Sequence, residues 1–128
     1  MNYNDILSQL RELARDELRL RAINVLRSDK LEIEILKTKT EHSLEIENYE
    51  LANLDKDYPD YEKMKAEKDD TIAVLGRQLD IIKRDLENTD NEIVKVVSGE
   101  TKISKDDLQC LTDKLIARFI REKITELE

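Results

Sequence analysis

A chain of 128 residues with 41% charged and only 39% hydrophobic residues has little material for a globular core, which favours an elongated shape over a compact one. One Phe, four Tyr, no Trp, two Gly and one Pro leave β and α/β folds short of their usual ingredients, and no run approaches the roughly 18 to 20 apolar residues of a membrane span. The net charge of −8 sits in the middle: residues 1–30 hold 6 Lys+Arg against 5 Asp+Glu (+1), residues 31–100 hold 10 against 19 (−9), and residues 101–128 hold 6 against 6. Such a middle disfavours direct binding to a nucleic-acid backbone and suits a basic protein surface.

The first helix is expected from about Asp5 to Arg27, with Asn2 or Asn4 as N-cap. Ile6, Leu10, Leu13, Ala14, Leu18, Ala22 and Val25 recur at steps of three and four, giving one buried face. At Ser28 and Asp29 the pattern shifts phase, although no Gly or Pro requires a break.

From Leu31 to Leu54 the row Ile33, Leu36, Thr40, Leu44, Glu47, Leu51, Leu54 fits a helix. Its two consecutive four-residue steps across Thr40 and Leu44 read as a stutter. The same stretch begins Leu31-Glu-Ile-Glu-Ile-Leu36, whose period of two also fits a half-buried strand. An α+β alternative with a short hairpin around residues 31–46 therefore stays open.

Asp55-Lys-Asp-Tyr-Pro-Asp60 is the clearest punctuation, because Pro59 cannot continue a preceding helix. Pro also suits the first position of a new helix, expected to run to Val97 with Gly76 inside it. Its seam is the strongest signal in the chain: Ile72, Leu75, Leu79, Ile82, Leu86, Thr89, Ile93 and Val96, spaced alternately by three and four. Such a stripe must be hidden against other helices. Ser98-Gly99 closes this helix, with Gly99 in the left-handed conformation. Pairing of residues 93–97 with Thr101 to Ser104 as a hairpin around 93–104 is the second β alternative.

Ser104-Lys-Asp-Asp107 has capping-box spacing. It precedes Leu108, Leu111, Leu115 and Phe119, flanked by Ile116, Ile120, Ile124 and Leu127, a face broad enough for two neighbours. The expected fold is thus all-α: residues 1–128 as one helical domain, with an N-terminal amphipathic helix (1–28), a coiled-coil hairpin (30–98, turn at 55–60) and a C-terminal amphipathic helix (104–128).

Residues capable of chemistry are sparse. His42 is the only histidine and Cys110 the only cysteine, and neither stands in a nucleophile–base motif. Glu41, His42 and Glu45 could present one imidazole and one carboxylate on a helical face, a weak pair short of the three or four groups a metal needs. Arg11, Arg15 and Arg19 align at i, i+4, i+8, but Glu12, Asp16 and Glu17 can neutralise them. Asp69-Asp70 and Asp106-Asp107 read as surface or first-turn acids, and Tyr49, Tyr58 and Tyr61 as an aromatic cluster at the hairpin end. No phosphate loop, zinc-finger spacing or HExxH element occurs.

No catalytic, metal or cofactor-binding residue is therefore expected, and no cofactor. A lone Cys and an N-terminus without a signal-peptide pattern point to a cytoplasmic protein, and the Lys-, Glu-, Ile- and Asn-rich composition to a bacterial or phage source. The expected function is non-enzymatic assembly through helix–helix contacts, with copies of itself or with another protein. The interface is expected on Ile72, Leu75, Leu79, Ile82, Leu86, Ile93, Val96, Leu108, Leu111, Leu115 and Phe119. The alternative is an acidic inhibitor or adaptor that occupies a basic, nucleic-acid-binding surface of another protein through residues 41–92.

Overall fold

The computed structural model describes residues 2–100 and 102–127, and helices dominate them: α1 (Tyr3–Ala52), α2 (Tyr61–Val97) and α3 (Lys105–Leu127). The fold is all-α. Neither β alternative forms among the described residues: 31–46 lies inside α1 and 93–97 completes α2, while Thr101 falls outside the described residues. Helix wins at Leu31–Leu36 because good helix formers flank it and propagation adds a hydrogen bond for each residue fixed, whereas a strand needs a partner.

Local chemistry sets the ends of each helix. The Asn2 side chain accepts the Asp5 amide at 2.9 Å, so Asn2 caps α1. No break occurs at Ser28 and Asp29, and α1 continues to Ala52. In the turn, the Asp55 carboxylate accepts the Asp57 amide at 2.9 Å, an Asx-type turn. Pro59 stays within that turn. The next helix begins two residues later than its usual proline position would give, at Tyr61, with the Asp60 carbonyl accepting the Met64 amide at 2.9 Å. At the far end of α2, Gly99 has φ +78°. Its amide donates to the Val96 carbonyl at 3.2 Å and the Glu100 amide to the Lys95 carbonyl at 3.0 Å, the paired bonds of a Schellman cap. Ser104 caps α3, accepting the Asp107 amide on its hydroxyl at 3.4 Å.

The chain divides into two compact units. In the unit Arg27–Asn91, the sheltered row is Lys30, Ile33, Lys37, Thr40, Leu44, Glu47 and Leu51 on α1, with Leu54 just past its end, alternating steps of three and four throughout. The expected stutter is absent. Lys37 holds the place assigned to Leu36, which is 51% exposed; the uninterrupted helix keeps its phase at the cost of a charged side chain in the row. Lys68 on α2 donates to Glu47 at 2.9 Å and also to Glu50, and Lys30 meets Asp90 at 2.8 Å. These cross-links pair the late part of one helix with the early part of the other, so the two run antiparallel. Between them lie buried Thr40, Leu79 and Ile82.

In the unit formed by Met1–Leu26 and Glu92–Glu128, Tyr3, Ile6 and Leu10 meet Ile116, Phe119 and Ile120 across one cleft, and Leu18 and Ala22 meet Val96 and Ile103 across another. Those two clefts make α3 antiparallel to the start of α1. The register brings Ala14, which has no exposed surface, level with Leu111 (8% exposed) and Thr112 (1%). A small residue there lets the helices approach closely. The Thr112 hydroxyl avoids being stranded by donating to the Leu108 carbonyl at 2.6 Å.

Candidate interaction surfaces

The expected interface residues have distinct positions within the chain itself. Ile72, Leu75, Leu79, Ile82 and Leu86 form the sheltered row of α2 in the hairpin unit, with Leu79 and Ile82 buried and the others half-buried. Ile93 and Val96 belong to the other unit, as do Leu108, Leu111, Leu115 and Phe119; Val96 and Leu111 are buried and the rest half-buried.

Many large aliphatic side chains remain on the outside. In the hairpin unit Leu31, Ile35, Leu36, Ile46, Val74 and Ile81 are all more than two-fifths exposed. Ile35 helps line a shallow groove with Glu34, Thr38 and Lys39. The other unit leaves Leu13, Leu20, Val25, Val94 and Val97 exposed, together with Ile120, Ile124 and Leu127.

The α3 surface has more shape than the others. Tyr3, Ile6 and Leu10 on α1 and Ile116, Phe119 and Ile120 on α3 enclose an apolar groove of about 230 Å³. From Ile116 and Ile120 the same row continues as Ile124 and Leu127, at steps of four, four and three. Beside the row Lys123 meets Glu126 at 3.2 Å and its ammonium stands 5.6 Å from the centre of the Phe119 ring, while Arg118 and Glu122, 3.1 Å apart, lie on the opposite face of the helix. The sequence places Ile116, Ile120, Ile124 and Leu127 on a flank of α3. It does not reveal that the first turns of α1 form the opposite wall, because that pairing depends on register.

A second recess, about 200 Å³, is lined by Leu18, Arg19, Val96, Lys102, Ser104 and Asp107 among others. The Arg19 guanidinium lies against the cap of α2, 3.7 Å from where a Cβ on Gly99 would stand, and its Nε is buried without a partner. A cation suits that end of a helix. Asp16, 3.8 Å from Arg19, and Asp107 balance the two cations of this recess.

The remaining candidates are solvated. His42, Asp69, Asp70, Asp106 and Asp107 are exposed, as is Cys110. No group of three His, Cys, Asp or Glu side chains that could hold a metal occurs among the described residues. Arg15 pairs with Glu12 at 2.7 Å and Arg19 with Asp16 at 3.8 Å, so two of the three arginines of the stripe have acidic partners. Tyr49 and Tyr58 are 70% and 59% exposed, and an aromatic cluster does not close the turn around them.

Two lysines have shifted titrations. Hydrogen bonds to Glu50 and Glu47 raise the Lys68 pKa, and a hydrogen bond to Asp90, reinforced by its charge, raises that of Lys30. Both pairings are cross-links between the two helices of the hairpin unit.

No helix among the described residues is long and apolar enough to cross a membrane. Comparison with protein-family models, curated proteins and solved structures finds no match to this chain.

Proposed function

We propose that this chain is a non-enzymatic assembly protein that acts through helix–helix contact, with copies of itself or with another protein. The carrying observation is the set of large aliphatic side chains left in water on both units. Leu31, Ile35, Ile81, Ile120, Ile124 and Leu127 are each about half exposed or more, and contiguous apolar patches on a protein surface mark contact sites.

Sedimentation equilibrium of the purified chain from about 1 μM to about 1 mM, joined to retrieval of bound proteins from its own host, tests the reading. A mass above 15.0 kDa that grows with concentration, or one stoichiometric partner, is the expected result. A monomer at every concentration that retrieves nothing contradicts it.

A second reading draws on charge. The hairpin unit holds 11 Lys+Arg against 18 Asp+Glu, a net −7, while the other unit holds 11 against 12, a net −1. An acidic hairpin suits an inhibitor or adaptor that covers a basic, nucleic-acid-binding surface. Partner retrieval repeated across a salt series separates the readings, since electrostatic docking weakens with salt and apolar docking does not.

A further inference from the structure

We propose that a second copy of this chain docks on the α3 face of the unit Met1–Leu26 with Glu92–Glu128, each copy placing Ile124 and Leu127 against the groove between the first turns of α1 and α3 of the other. The inference rests on the contact reading above and names its partner and its surface. Two observations single out this face and this occupant.

The first is self-complementarity. A two-fold contact uses the same patch on both copies, so that patch must present both a recess and something to fill it. Here the recess runs between Tyr3, Ile6 and Leu10 on one side and Ile116, Phe119 and Ile120 on the other. The projecting row continues directly from its edge as Ile124, 53% exposed, and Leu127, 88% exposed. A groove of about 230 Å³ has room for an aliphatic side chain, given that an apolar cavity of roughly 150 Å³ accommodates benzene.

Charge is the second. Two copies meeting through their hairpin units would bring −7 against −7; through this unit they bring −1 against −1. Like charge across an interface opposes association, so the nearly neutral unit is the one that can approach its own copy. Bordering the row, the Lys123 charge is already engaged by Glu126.

A partner of basic character would be drawn to the hairpin unit, which leaves the α3 face for an occupant without strong charge.

Sedimentation equilibrium of the full chain carries the test, comparing wild type with Ile124→Glu, Leu127→Glu and, on the hairpin unit, Leu31→Glu. Because Leu127 is almost fully exposed, its variant folds even where Ile124→Glu does not; circular dichroism verifies helicity in each. A wild-type dimer, weakened at least about tenfold by each α3 substitution and unchanged by Leu31→Glu, is expected. A dimer that Leu31→Glu dissociates and the α3 variants do not overturns this assignment while leaving assembly through contact standing. A wild-type monomer that retrieves a different host protein also overturns it, whereas a monomer retrieving nothing overturns both.

Discussion

Replacing each of the two glycines by alanine produces opposite effects, and the two signs together test the backbone description. Gly76 lies inside α2, and a Cβ built there meets nothing within 4 Å. Alanine removes the excess conformational freedom that glycine loses on folding and adds no clash, a gain of about 1 kcal/mol. Gly99 has φ +78° at the cap of α2. There the obstacle is conformational, because an added Cβ would touch Arg19 only at an ordinary 3.7 Å, whereas the left-handed region costs an L-residue about 1 to 2 kcal/mol. Subtracting the entropic benefit of alanine leaves a loss of about 1 kcal/mol. For a chain of this size 1 kcal/mol moves a melting midpoint by about 3 to 5 °C. Thermal melts followed by circular dichroism are thus expected to rise for Gly76→Ala and fall for Gly99→Ala, with the double variant near wild type. Midpoints shifting in the same direction would refute the reasoning, as would a Gly76→Ala that destabilises.

Three other perturbations probe packing and charge. Ala14→Leu keeps helix propensity nearly constant but inserts a side chain where Ala14 has no exposed surface; urea unfolding is expected to show a loss of about 1 to 3 kcal/mol, and a gain would mean that the helices are not closely apposed there. Thr40 is 7% exposed and its hydroxyl donates back to the Leu36 carbonyl at 2.9 Å, so Thr40→Val is expected to stabilise by up to about 1 kcal/mol through the buried methyl; an equal loss would show that the hydroxyl is needed. Because the pKa values of Lys30 and Lys68 are raised in the folded chain, their contribution is complete below the unfolded lysine pKa of about 10.4 and disappears as pH rises through the higher folded values. The stability difference between wild type and Lys68→Met should therefore stay constant from about pH 7 to about pH 10 and shrink above that; shrinkage between about pH 7 and 9 would contradict the pairing.

The all-α class, the turn at Asp55–Asp60 and both caps around Gly99 and Ser104 were legible in the sequence because each depends on chemistry within a few residues. The α2 seam was legible for the same reason: Ile72 to Val96 is apolar at nearly every sheltered position. The α1 row was harder, since its sheltered positions include Lys30, Lys37, Thr40 and Glu47 while Leu31, Ile35 and Leu36 stand outside. Hydrophobicity alone misplaces such a row, and the cross-links that make it tolerable, Lys68 to Glu47 and Lys30 to Asp90, join residues far apart in the chain. The absence of a break at Ser28 belongs with this, because a helix with apolar residues on more than one face has no single phase to follow. Nor was the groove under α3 readable, as Tyr3 and Phe119 become neighbours only through tertiary register.

The central claim, a second copy on the α3 face, is tested most directly by a nitroxide on Cys110, the only cysteine, which is exposed on α3. One label per chain gives no dipolar coupling in a monomer. Pulsed electron paramagnetic resonance on the labelled full chain is expected to give a defined Cys110–Cys110 distance that vanishes when Leu127→Glu is introduced. Absence of coupling at concentrations where sedimentation gives a dimer, or a distance indifferent to Leu127→Glu, would contradict it.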